Sequence, residues 1–564
     1  MKKKTVTITA VLLTAAILTA TGCSKDTPSS ASTTPNSTNS ASSNDMAPIT
    51  FSMYSADPNA DWDDMQSGVG KKIKEKTGVS LKLEFPVGGA SDQKVALLAS
   101  SGEYPDLVMA KGDTQKLIDA GAMVDLAPLI EKYGPNLKKV YGDYIKRLRY
   151  SNDNHAIYTL PTTGVNQKYF DAGGGFEVQH QVLKELGYPK IKTVKDFENA
   201  IKTYKEKHPT IDGKPTIGLS LLADDWRILI SVTNPAFYTT GAPDDGEFYI
   251  DQNTYEAKYH FLRPEEKDYF KWLNHMNSIG LLDPESFVQK YDQYKAKIAS
   301  GRVLGLIDQN WEYGEGENVL KKEGKLDQTY AHFPVTLNEN FKDHSFQETG
   351  FLAGLGIGIT TKAKDPVRAI KFLDWLASDE GQVLTNWGVE GIDYKVENGK
   401  RVITPEAQDK KTNNPGGYKK ENGIGNYWLS ARYGDGVKDP SGNYYTTNFP
   451  EQIQKNYTKA DLETLKAYNI TTYKDLWPKD DEFPVRKYGA AWGINHPTGS
   501  DLQVTFQKSE DIMKKRIPEA ILAKPEDFDK VWTAFMADLE KVGVKKMNEQ
   551  FTQMVKDRVK LWNE

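Results

Sequence analysis

The chain has 564 residues, 38% of them apolar and 26% charged, with 72 Lys+Arg against 77 Asp+Glu and a net charge of −5. That length buries a large core in at least two domains or lobes, and the charge balance argues against a nucleic-acid binder, which concentrates basic residues for phosphates. The single cysteine excludes an intrachain disulfide framework and any multi-cysteine metal site. Beyond the extreme N-terminus, no uninterrupted apolar run approaches the roughly 20 residues of a membrane-spanning helix.

Lys2, Lys3 and Lys4, followed by an apolar, Thr-rich stretch from Val6 to Ala20, read as a secretory signal over residues 1–22. Ala20-Thr21-Gly22-Cys23 resembles the lipobox of bacterial lipoproteins, with Ala20 where Leu is commoner. The resemblance implies cleavage before Cys23 and a diacylglyceryl group on its thiol. Ser24 to Met46 lacks aromatic and β-branched aliphatic residues and cannot pack a core. Residues 23–46 are therefore expected to be a lipidated, disordered tether with a reach on the order of 25 Å.

The body alternates strand and helix. Pro48 to Tyr54 reads as a strand, and Met65, Val69 and Ile73 line a helix that Gly78 ends. Val79, Leu81, Leu83 and Phe85 alternate with Ser80, Lys82 and Glu84, the period of a half-buried strand. Ser91 opens a helix with Val95, Leu98 and Ala99 inward, Gly102 stops it, and Pro105 to Met109 forms a third strand. Strand–helix–strand–helix–strand at this spacing implies a parallel sheet with helices on both faces, and hence the α/β class. Downstream, Thr193 and Asp196 suit a capping box, Val303 to Ile307 is a strand leading to Trp311, and Asp365-Pro366 opens a helix. Val544, Met547, Phe551, Met554 and Val559 mark a long amphipathic helix at the C-terminal end.

Five segments in order carry a resemblance: GVSLKLEF…QKVALLASSGEYPDLVMA (78–110), HAIYTLPTTG (155–164), QVLKELGYPKIKTVKDFENAIKTYKE (181–206), YKAKIASGRVLGLIDQNW (294–311) and GIGITTKAKDPVRAIKFLDWLASDEGQ (356–382). They resemble the family 1 extracellular solute-binding proteins of ABC importers, the sugar-binding group that includes maltose-binding protein. GVEGIDYKVENGK (388–400) resembles its larger lipoprotein members. The resemblance covers most of residues 47–400. It implies two discontinuous α/β lobes of the type II periplasmic-binding-protein kind, joined by a hinge, with ligand in the cleft between them. The expected lobes are 47–165 with 350–390, and 166–349 with 391–564, the second holding an aromatic-rich insertion at about 401–520. Crossings are expected near 164–172, 346–352 and 388–394. The resemblance further implies an oligosaccharide ligand such as plant polysaccharides release, and the permease subunits of an ABC transporter as partners. It implies a monomer held by its lipid at the outer face of the cytoplasmic membrane, with no enzymatic activity, no cofactor and no bound metal.

A sugar presents hydroxyls that make directional hydrogen bonds and C–H faces that lie flat on aromatic rings. Its site therefore calls for Trp or Tyr platforms edged by acids, amides or bases. Tyr54, Asp57, Asp61 and Trp62 follow the first strand, at the edge where open α/β sheets bind ligands, and Lys111 and Asp113 follow the third. Asp224, Asp225, Trp226 and Arg227 interrupt an apolar stretch. Trp311 is the leading candidate for ring stacking. Glu348 sits at the second crossing, and Trp387, Glu390, Asp393 and Tyr394 at the third. Trp375 and Trp532 lie on helical stripes and are assigned to packing. Between Tyr418 and Trp492, 14 of 75 residues are aromatic with few Leu, Ile or Val among them. This is a loop-rich cap that either lends aromatic surface to the cleft or is itself packing.

Other motifs are weaker. Ser91-Asp92-Gln93-Lys94 and Lys76-Thr77-Gly78 match fragments of penicillin-recognising enzymes in reversed order, without the Ser-Asp-Asn element. Gly354-Leu355-Gly356-Ile357-Gly358 lacks dinucleotide-loop spacing and reads as an apolar strand. Asp57 to Asp63 begins like a calcium loop but has no glycine at the sixth position and Gly68 where the closing glutamate belongs. A secreted glycoside hydrolase needs two carboxylates flanking one bond, and no such pair is identifiable. Peptide binding by the same fold is the other alternative.

Overall fold

The computed structural model describes residues 46–86 and 91–563; the signal sequence, Cys23 and the tether up to residue 45 lie outside them. A serine and a glycine delimit the first helix. Ser67 accepts a hydrogen bond from the Gly70 N–H at 3.3 Å, and Gly78, at φ +68°, donates its N–H to the Lys74 carbonyl. A Cβ on Gly78 would fall 2.5 Å from the Met46 carbonyl oxygen, so this turn requires glycine. Helix α1 (Gly68–Thr77) thus hands the chain from β1 (Ile49–Ser55) to β2 (Val79–Glu84). Helix α2 (Ser91–Ser101), β3 (Leu107–Met109) and α3 (Thr114–Asp119) follow, and β4 (Leu160–Pro161) and β5 (Gly164–Val165) end this first lobe segment.

The second lobe opens with β6 (Gly174–Gln179), and α4 (Val194–Lys207) starts at the expected box: the Thr193 hydroxyl accepts from the Asp196 N–H, and the Asp196 carboxylate accepts from the Thr193 N–H. Then come β7 (Ile217–Ser220), α5 (Tyr291–Ala299), β8 (Val303–Gln309), α6 (Asn310–Lys322) and β9 (Tyr330–Phe333). The chain returns to the first lobe as β10 (Gly356–Ile359), α7 (Pro366–Ala377), α8 (Asp379–Trp387), α9 (Pro415–Asn422) and β11 (Arg432–Tyr433). It finishes on the second lobe in α10 (Asp501–Leu522), α11 (Phe528–Val542) and α12 (Val544–Asn563). Among the described residues no helix is long and apolar enough to cross a membrane.

The first sheet has the order β2-β1-β3-β10-β4. Its strands β2, β1 and β3 are parallel, as their intervening helices dictate, whereas β10 enters from the other lobe and pairs antiparallel with β3 and β4. The second sheet has the order β9-β6-β8-β7, with β8 parallel to β7 and antiparallel to β6. Each sheet has its own core. Phe51, Met53, Ile73, Leu107, Ile357 and Leu373 belong to the first, and Phe176, Phe197, Ile307, Phe333, Trp532 and Phe551 to the second.

The packing departs from the expected division at one point. Residues from 391 onward do not cross at once to the second lobe: Tyr394, Ile403, Ala407 and Tyr418 close a small core around Trp387, while Tyr427, Leu429 and Ala431 enter the first lobe's core. β11 also pairs with β5. The third passage falls between Phe449, which packs on Trp387, and Tyr457, which packs on the second core. The aromatic-rich segment is mostly packing. Tyr418, Tyr427, Tyr445, Tyr473, Trp477 and Tyr488 are buried, and the hydroxyls of Tyr445, Tyr473 and Tyr488 donate to Asp379, Asp461 and Asp245.

Candidate ligand-binding cleft

Parallel strands end at the same sheet edge, so the turns after β1 and β3 meet. Asp57 from the first turn and Lys111 from the second form an ion pair of 2.5 Å, with Lys111 held in the left-handed region at φ +52°. The second lobe repeats the arrangement. β7 and β8 run parallel, and the segments beyond their ends carry Asp224 to Arg227 and Trp311. There the indoles of Trp226 and Trp311 lie nearly parallel, 6.1 Å apart at 17°, with 43% and 56% of their surfaces exposed. The Lys111 ammonium sits 5.6 Å from the Trp226 ring centroid, so the two lobes face each other at this point.

A charged frame holds the indoles. Arg227 lies 4.2 Å over the Tyr291 ring and 5.0 Å over Trp226, donates from Nε to Glu312 at 2.9 Å and from Nη1 to Asp225 at 2.7 Å. The Tyr291 hydroxyl donates to the Glu312 carbonyl at 2.8 Å. Asp224 accepts from the Lys290 ammonium at 2.8 Å and from the Tyr291 N–H at 3.2 Å. Burial raises the Glu312 carboxyl above its ordinary range, against the opposing pull of Arg227. Below this strand end, burial pushes Asp308 up to about 8 while it accepts from the Tyr294 hydroxyl at 2.6 Å.

Lys111 also borders a cavity of about 400 Å³ running toward the second passage between lobes. Thr114, Tyr158 and Arg147 line it from the first lobe, and Asn495, Arg558 and Trp562 from the second. The cleft therefore has an aromatic end, a lysine in the middle and an arginine-bearing end.

The structure gathers Asp57, Lys111, Asp224, Trp226, Arg227 and Trp311 at this cleft; Asp113, beside Lys111, pairs with Lys116 at 2.6 Å. Asp61 and Trp62 sit apart from the indole pair: Asp61 faces Lys419 at 3.3 Å, and Trp62 packs on Tyr427 with ring centroids 5.5 Å apart. They tie the loop after β1 to the segment around α9. The carboxylates of Asp57 and Asp61 thus turn to different lysines instead of converging. Glu348 lies at the second passage, where its carbonyl accepts from the Arg486 N–H at 2.8 Å.

Four expected site residues, Tyr54, Trp387, Asp393 and Tyr394, are corrected by burial; Asp393 accepts from the Val389 N–H at 2.8 Å and from the Tyr418 hydroxyl at 3.2 Å. Tyr54 is 1% exposed in a small core with Val95, Leu98 and Val108, because its position on β1 points inward. Trp387 is 2% exposed and donates its indole N–H to the Tyr444 carbonyl at 3.0 Å, and Tyr394 packs against it. Glu390 is exposed beside them and borders a separate depression. Sequence reading missed Glu312 and Tyr291, which hold Arg227, and the cavity residues Arg147, Asn495, Arg558 and Trp562. Glu312 directly follows Trp311; the others carry no local signal, since Tyr291 opens α5, Arg147 precedes the first passage between lobes, Asn495 precedes α10, and Arg558 and Trp562 lie on α12.

The family model described as bacterial extracellular solute-binding protein matches residues 59–383. The chain is 25% identical over 428 residues to the fructooligosaccharide ABC transporter substrate-binding protein FusA of Streptococcus pneumoniae serotype 4 (strain ATCC BAA-334 / TIGR4), covering 70% of this chain and 72% of that one. It is 22% identical over 343 residues to lipoprotein LipO of Bacillus subtilis (strain 168), covering 58% of this chain and 64% of that one. The solved structure of an extracellular solute-binding protein from Bifidobacterium longum subsp. infantis is similar with a TM-score of 0.64 at 14% identity, covering 91% of this chain and 99% of that one.

Proposed function

From the premise that the chain belongs to the bacterial extracellular solute-binding protein family, we propose that it captures an oligosaccharide outside the cell and delivers it intact to an ABC importer. The observation that carries this reading is the exposed, nearly parallel Trp226–Trp311 pair, held by Arg227 and facing Lys111 across the cleft. Indoles exposed in this way offer apolar faces for sugar C–H groups, while Asp57, Lys111, Asp225 and Arg227 supply hydrogen-bonding groups at the rim. Ligand stabilises the closed lobes through contacts it lacks when they are apart. The name of the FusA relative supports an oligosaccharide as cargo, and that of LipO supports a lipid on Cys23. In this reading the protein is a monomer, tethered outside the cytoplasmic membrane, whose partners are the permease subunits.

Calorimetry with fructo-, xylo-, arabino-, manno- and malto-oligosaccharides, followed by chromatography of the mixture, tests it. The expected result is saturable binding of one class with no product. Turnover of any bound saccharide, or binding of peptides in preference to all of them, refutes it. Cys23→Ala is expected to release the protein from membranes into the medium.

A further inference from the structure

Two cations of the cleft are already neutralised: Lys111, in its middle, by Asp57, and Arg227, at its aromatic end, by Asp225 and Glu312. The opposite end of the cleft is different. The charged side chains lining the cavity are Lys111, Arg147, Arg149, Arg558, Asp153 and Asp557. The two carboxylates are on exposed residues, whereas the three arginines are partly buried. Among the described residues none of the three arginines has an ion-pair partner.

What Arg147 and Arg558 do have is backbone. Arg147 donates from Nη1 to the carbonyls of Thr349 and Phe351, and Arg558 donates from Nη1 and Nη2 to those of Ala490 and Gly493. Both guanidinium groups lie over the Trp562 ring, at 4.6 and 4.9 Å from its centroid. Each guanidinium has five N–H donors, more than these bonds use. The indole and the backbone bonds hold two like charges at the cavity, one from each lobe, and burial together with Arg147 pulls Arg558 down to about 9 against the opposing pull of Asp245. A pair of positive charges held this way, with no carboxylate of the chain in ion-pair contact with either among the described residues, is what a carboxylate ligand would complete, since a planar guanidinium matches a carboxylate through two parallel bonds.

We propose that the Arg147–Arg149–Arg558 end of the cleft is a subsite for an acidic sugar unit, a hexuronate whose carboxylate is bound by these guanidinium groups. The proposal rests on the oligosaccharide-receptor reading and specifies its cargo: an oligosaccharide laid on Trp226 and Trp311 at one end and bearing a carboxylate at the other.

The test is calorimetric titration of the full chain with acidic oligosaccharides (galacturonate oligomers, mannuronate oligomers, glucuronate-bearing xylo-oligosaccharides), each paired with its methyl ester, and with neutral fructo- and malto-oligosaccharides. At least one acid is expected to bind about tenfold or more tightly than its ester. That advantage should shrink as salt is raised, because screening weakens charge pairing and leaves stacking. Arg149→Gln, which removes no backbone bond of the passage, should bring the acid-to-ester ratio toward one. Arg147→Gln and Arg558→Gln should do the same in protein whose circular dichroism and melting remain cooperative. Equal binding of acids and esters, or tightest binding of a neutral saccharide, overturns the subsite and leaves the receptor reading standing. An acid preference that survives all three substitutions also overturns it. Absence of binding to every saccharide refutes the receptor reading, and the subsite with it.

Discussion

Replacing Trp311 with alanine removes an indole of which 56% is exposed and whose ring lies 6.1 Å from that of Trp226. An aromatic side chain buries about 150–250 Å² when fully covered. A sugar laid on one face of a ring exposed to this extent covers roughly 50 Å², which at about 25 cal/mol per Å² contributes about 1.2 kcal/mol. Geometry-specific stacking adds about 0.5–1.5 kcal/mol. The expected loss is therefore about 1.7–2.7 kcal/mol of binding, a rise in Kd of roughly 20- to 100-fold. The folded state should lose about 1–2 kcal/mol, because just under half of the residue is covered there. Titration calorimetry of wild type and W311A with the oligosaccharide identified in the panel reads the first quantity, and denaturant unfolding without ligand reads the second. Trp226→Ala should behave alike, and the double substitution should cost less than the sum, since one platform is being removed twice. Unchanged affinity with a clear loss of stability would refute the reasoning and make the indole pair a packing element.

Trp387→Ala is expected to do the reverse, lowering stability by about 3–5 kcal/mol while the folded fraction binds ligand as before; weakened binding at unchanged stability would contradict its assignment to packing. Lys111→Met should weaken ligand binding by about 0.5–1 kcal/mol and reduce its salt dependence, measured by titration at two salt concentrations, with no change in melting because its pair with Asp57 is partly exposed. Glu177 lies fully buried on β6 with neither carboxylate oxygen hydrogen-bonded, and burial raises its pKa well above the ordinary value. A raised carboxyl is favourable to folding below the unfolded pKa near about 4.3, and that contribution is lost as pH rises toward the folded pKa. Glu177→Gln should therefore stabilise the protein relative to wild type more at pH 7 than at pH 4. A difference between the two proteins that does not change with pH in chemical unfolding would show that Glu177 keeps its charge.

What the amino-acid sequence determined is what lies within about ten residues of chain. The alternation in Val79–Glu84, the Thr193–Asp196 box, the Gly78 turn and the Asp365 cap, whose carboxylate accepts from the Arg368 N–H at 2.9 Å, all depend on local hydrogen bonds and on apolar periods of two or 3.6. The α/β class and the placement of Asp57, Lys111, Trp226 and Trp311 beyond strand ends follow from those elements, because parallel neighbours deliver their following turns to one edge. Burial and pairing depend on chain segments far apart. Trp387 and Trp311 both stand at places where a loop or a strand meets a helix, yet one is covered by Tyr444 and Phe449 and the other by nothing comparable. The sequence shows Arg227 and Arg558 as similar cations; only the fold puts Glu312 against the first and a tryptophan and two carbonyls against the second. The late third passage has the same origin: Tyr427, Leu429 and Ala431 carry no sign of which lobe they join until the surfaces of both lobes exist for them to cover.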